Sequence, residues 1–64
     1  MASDSSWIKY GVSVLLIIRI DSKRKIGDVG IAQESPNSSG LFRVRFSDGG
    51  LSQVRAKEVE PFVH

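Results

Sequence analysis

The basic residues of this 64-residue chain outnumber its acids, nine Lys and Arg to seven Asp and Glu, for a net charge of +2. They are also grouped. Lys23, Arg24 and Lys25 are consecutive, while Arg43 and Arg45 alternate with apolar residues and Arg55 ends the next apolar-containing run. The chemistry open to such groups is electrostatic: they attract carboxylates or phosphates and speed encounter with an acidic partner. Bond-making chemistry has poorer material. Cys is absent, the one His is His64 at the chain end, and Asp28, Asp48, Glu58 and Glu60 stand at expected turns or surface positions. A nucleophile with its base, two carboxylates facing across a cleft, or a metal-ligand set would each need residues that this pattern does not supply. The segment GDVG, Gly27–Gly30, lacks the Lys-Ser/Thr ending of a phosphate-binding loop and reads as a strand bend. The expected class is non-catalytic, without cofactor or metal.

The basic residues and a few apolar ones make the candidate contact surface. Arg43, Arg45 and Arg55 are expected on the outer faces of paired strands, with Lys23, Arg24 and Lys25 extending the patch from a loop. Of the five aromatics, Phe42, Phe46 and Phe62 fall on core positions by alternation. Trp7 and Tyr10 remain, too few for a cage around a methylated lysine and better placed as a lid over one end of the fold. Leu15 and Ile17 are the outward aliphatics of an otherwise apolar run, and they invite a covering partner.

Five strands must position these groups. GVSVLLIIRI supplies a first strand of about nine residues from Val12, and its β-branched composition argues against a helix. It is too short to cross a membrane, which takes about 20 apolar residues, so at most a peripheral membrane contact is expected. The start MASDSSW has no basic region ahead of an apolar one, so an intracellular location, cytoplasmic or organellar, is expected. A second strand centres on Val29 and Ile31. After the SPNSSG loop, LFRVRF alternates cleanly, with Phe42, Val44 and Phe46 on one side and Arg43, Arg45 and Ser47 on the other. SDGG is a hairpin turn, LSQVR a fourth strand, AKEV a single 3-10-like turn, and EPFVH a short edge strand. The fold class is all-β: a five-stranded SH3-like small barrel with one 3-10 turn before the last strand. Residues 1–6 read as a loose tail and 7–64 as one domain. The expected core is Val12, Val14, Leu16, Ile18, Val29, Ile31, Phe42, Val44, Phe46, Val54, Val59 and Phe62, with Ile20 also turned inward.

The series GDVGIAQ, GLFRVRFSDGG and VRAKEVEPF resembles small SH3-like barrels that share a G-x-V-G second strand, a V-x-F strand followed by Asp-Gly, and a short turn before a Pro-containing closure. It looks most like the photosystem I subunit IV (PsaE-like) and electron-transport accessory barrels. Tudor-like and KOW-like domains share the F-x-V-x-F-x-D-G strand and hairpin. The first resemblance implies an accessory subunit of a larger photosynthetic or redox complex with an acidic, ferredoxin-like partner. The second implies a nucleic-acid or chromatin-binding module, in which the same basic residues meet phosphates and Trp7 and Tyr10 stack on bases or a methylated side chain. Neither resemblance fixes an oligomeric state.

Overall fold

The alternation in LFRVRF organises the sheet. The computed structural model describes residues 5–62, and in it Leu41–Phe46 forms the longest strand, β3, with Phe42, Val44 and Phe46 buried and Arg43 and Arg45 exposed. Its neighbours are β2 (Val29–Ala32) and β4 (Leu51–Arg55). β1 (Ser13–Leu16) pairs with β2 on one side and with β5 (Val59–Pro61) on the other. All pairings are antiparallel in the order β4-β3-β2-β1-β5, and a 3-10 turn at Ala56–Glu58 precedes β5. The edge strands β4 and β5 are not hydrogen-bonded to each other, so the fold is barrel-like without closing. No α-helix occurs among the described residues, hence none long and apolar enough to cross a membrane.

One cluster forms the core: Ile8, Val14, Leu16, Ala32, Phe42, Val44, Phe46, Val54 and Val59. Trp7, Val12, Ile20 and Ala56 pack partly against it. Four expectations are corrected here. β2 sits in the opposite register, with Gly30 and Ala32 facing in and Val29 and Ile31 facing out. The reason is volume. Gly30 lies opposite Phe46 and Ala32 opposite Val44, and a Cβ at Gly30 would run into the Val44 side chain and come within 2.8 Å of the Arg45 carbonyl. Large side chains on β3 leave room for only small ones on β2, and a period of two then sends Val29 and Ile31 outward.

The first strand is also shorter than expected, ending at Leu16, so that Ile18 is exposed rather than core. A bulge stops the ladder there. Gly27 N–H donates to Leu16 O at 2.9 Å while Leu16 N–H donates to Asp28 O at 2.8 Å, placing two residues opposite one. Gly27 occupies the left-handed region at φ +97°, which this bulge requires and a side chain would resist. Phe62, the last expected core residue, is half-buried.

Finally, the core includes Ile8, which the alternation pattern had not reached. Gly11 N–H donates to Ala32 O and Ala32 N–H to Val12 O, so the N-terminal segment is fastened to the end of β2 and carries Ile8 under the sheet. Residues 1–4 and 63–64 lie outside the described residues. Of the stretch read as a tail, Ser5 and Ser6 are described, and Ser5 O accepts the Ile8 N–H.

The hairpin between β3 and β4 follows the expected turn. Gly49 N–H donates to Phe46 O and Phe46 N–H to Gly50 O, with Gly49 at φ +86°. A Gly30→Ala substitution should destabilise the domain by about 1–3 kcal/mol through overpacking against β3. The denaturant midpoint measures this; an unchanged midpoint would mean that β2 and β3 are farther apart than described.

Candidate docking seam

The six basic candidates separate into three situations. Arg24 is not on the surface: it is 5% exposed, the one buried charged residue among those described. The Lys23–Lys25 triplet folds over an Asp21 carboxylate that accepts the N–H groups of Lys23 and Arg24 at 2.7 and 2.9 Å. This tight turn leaves Lys23 and Lys25 exposed and sends Arg24 inward. There its guanidinium lies 4.4 Å from the Phe46 ring centroid, donates to Ser52 Oγ at 3.0 Å, and pairs with Asp48 at 3.0 Å. Arg24 is a structural plug across the end of the sheet, which corrects its assignment to a partner-binding face.

Arg43 and Arg45 do project outward, as expected, but Arg43 is already partnered. Its guanidinium meets the Glu34 carboxylate at 3.2 Å, and its N–H donates to the same group. That contact holds the Glu34 carboxyl below its usual range, mainly through the guanidinium hydrogen bond. Arg45 donates to Gly49 O at 3.3 Å and stands between Ile31 and Leu51 on the outer face. Arg55 is exposed and lies directly opposite Leu41 across the β3–β4 pair.

That Leu41–Arg55 pair forms a ridge between two hollows. On one side is a groove of about 570 Å³ bordered by Trp7, Ala56, Lys57, Val59 and Pro61. On the other is a cleft of about 410 Å³ bordered by Arg19, Ile20, Gln53 and Glu58. Leu41 and Arg55 line both. The hollows therefore follow the seam where β4 and β5 fail to pair. Arg19, Arg55 and Lys57 border it, and none of them is in an ion pair among the described residues. The carboxylates behave differently. Asp21, Asp28, Asp48 and Glu58 accept main-chain N–H groups of their own turns, and Glu34 and Asp48 hold guanidinium groups. Glu60 is the remaining described carboxylate and lines the groove.

Trp7 is half-buried in the groove wall, whereas Tyr10 is 76% exposed and borders neither hollow. The two do not converge as a lid. Leu15 is half-buried on the outer face between Val29 and Glu60. Ile17 is exposed, with its N–H donated to Glu58 O. The seam thus brings together Arg55 and Trp7 from the sequence candidates, and adds Arg19, Lys57 and Leu41. For Lys57 the sequence offers no signal beyond its charge two residues after Arg55. Arg19 was hidden by reading its segment as the end of a long strand.

No family model, no curated protein and no solved structure matches this chain.

The plug has a testable pH signature. The Gly50 N–H, at 2.8 Å, and the Arg24 guanidinium hold the Asp48 carboxyl below its usual range. A carboxyl depressed in the native state contributes stability that is complete above its unfolded value, about 3.9, and lost as pH falls through the native value. Asp48→Asn should therefore flatten the acid limb of stability against pH. Arg24→Ala should cost about 2 kcal/mol at neutral pH, the scale of a desolvated cation over an aromatic ring. Thermal melts from pH 2 to 7 measure both effects, and an unaltered acid limb in Asp48→Asn would remove Asp48 from the account.

Proposed function

We propose that the protein is a non-catalytic docking module that receives an acidic partner along the seam. The observation that supports this most directly is the gathering of Arg19, Arg55 and Lys57, without ion-pair partners among the described residues, around two adjoining hollows. Cations beside concave, partly apolar walls focus field on an approaching carboxylate and raise its encounter rate. Leu41, Trp7 and Pro61 supply apolar area that rewards contact once it forms. Arg45, with Ile31 and the half-exposed Leu51, extends the surface onto the outer face of the sheet.

A small domain of this kind serves as an accessory subunit, holding a larger complex to its acidic partner. The sequence resemblance to electron-transport accessory barrels would make that complex a redox assembly. In the rival reading, drawn from the Tudor-like and KOW-like resemblance, the same cations meet nucleic-acid phosphates.

A comparison at constant net charge tests the proposal. The triple variant Arg19→Gln, Arg55→Gln, Lys57→Gln should leave immobilised polyglutamate at clearly lower salt than Lys9→Gln, Lys23→Gln, Lys25→Gln, which removes three exposed cations elsewhere. Equal elution of the two variants would show that only net charge matters and would overturn the seam as the site. Stronger, seam-dependent retention on single-stranded DNA would favour the nucleic-acid reading.

A further inference from the structure

The seam also bears on the form of the partner. We infer that it takes an extended acidic peptide segment, with an apolar side chain in the Trp7 groove and a carboxylate across the Leu41–Arg55 ridge. This inference rests on the docking reading and goes beyond it, since an acidic globular surface would satisfy that reading equally well.

Three observations favour an extended chain. First, the two hollows are separated by a single cross-strand pair, Leu41 and Arg55. A ligand that uses both must step over one residue-wide ridge. An extended strand does this naturally, because its alternate side chains lie about 7 Å apart on one face. Second, the chemistry of the hollows differs in a matching way. The groove has Trp7, Ala56, Val59 and Pro61 in its wall with Lys57 and Glu60 at its border, the more polar cleft has Arg19 and Glu58, and Arg55 reaches both. An apolar residue followed closely by acids fits that order.

Third, the groove is bordered by an unpaired strand edge. The β1–β5 bonds include Ile17 N–H to Glu58 O and Phe62 N–H to Ser13 O. By antiparallel alternation, Val59 and Pro61 turn their main-chain groups away from β1. Pro61 has no N–H, and the Val59 N–H closes the 3-10 turn that ends at Glu58, so this edge presents main-chain carbonyl acceptors to the N–H groups of a peptide. A peptide lying along β5 can therefore gain main-chain hydrogen bonds as well as side-chain contacts. Charge complementarity selects an acidic segment over a second copy of this chain, which carries a net charge of +2.

Trp7 is the chain's one tryptophan and reports from the groove wall. The test titrates the protein with a blocked octapeptide carrying one Phe among Glu residues, and follows Trp7 fluorescence and the amide resonances of Leu41, Lys57 and Val59. A saturable response at all of these positions is expected. It should weaken about fivefold in Arg55→Gln, the worth of one partly exposed charge pair. It should also weaken in Ser39→Phe, which places a ring at the groove border while keeping every cation. Replacing the peptide's Phe by Ser should abolish the Trp7 change.

If the peptide evokes no response while retention on polyglutamate still depends on the seam, the apolar-anchored peptide mode is wrong and docking of carboxylates stands. Loss of both overturns both. An equal response to an eight-nucleotide oligo-dT, with the same Arg55 dependence, would replace the peptide by a nucleic-acid strand.

Discussion

Phe46 is the side chain on which this small domain turns. Gly30 lies opposite it on β2, where a side chain would strike Val44 and the Arg45 carbonyl and crowd the Phe46 ring. Arg24 covers its ring from the other end of a loop, fixed there by Ser52 and Asp48. Asp48 in turn holds the Gly50 N–H that shapes the hairpin following Phe46. Phe46 thus shares with Val44 the setting of the β2 register, and through Arg24 and Asp48 it ties together the loop after β1 and the β3–β4 turn. In a chain of this length, which buries only about 60% of its unfolded surface, such shared use of a few side chains substitutes for a large core.

The same arrangement decides where charge is available. Burying Arg24 removes a cation from the surface, and the Glu34–Arg43 pair compensates another. Most of the described carboxylates are engaged in shaping their own turns. What remains uncompensated by short ion pairs includes Arg19, Arg55 and Lys57, and the open edge of the sheet places those three beside apolar walls. A sheet that closed fully would have no such seam. The candidate binding surface is a by-product of incomplete closure.

Much of this architecture is legible in the sequence wherever a single local rule decides. LFRVRF alternates without conflict, Asp48-Gly49 specifies its turn, and Pro61 marks an edge strand; all three appear as expected. Reading fails where two rules compete. Val29 and Ile31 look like core residues by type, but the volume of Val44 and Phe46 across the sheet forces them out. The run after Leu16 looks like continued strand, but the bulge at Gly27 ends the ladder. Arg24 looks like part of an exposed basic triplet, because nothing in KRK signals that an Asp21-centred turn will aim the middle residue at an aromatic ring. For the site, Arg55 and Trp7 were visible by type, whereas Arg19 and Lys57 became candidates only once the seam placed them.

The pairing of β5 with β1 carries a consequence for how the molecule assembles. Every other strand contact joins sequential neighbours, whereas β5 must return across nearly the whole chain to reach β1. Closing so long a loop is the slowest kind of step for a β domain, and the contact that requires it is expected late in folding and early in local opening. The groove wall of Val59 and Pro61 belongs to that last-formed strand. A ligand seated there would do more than occupy a surface. It would hold the final strand in place, so that binding and completion of the fold become one equilibrium.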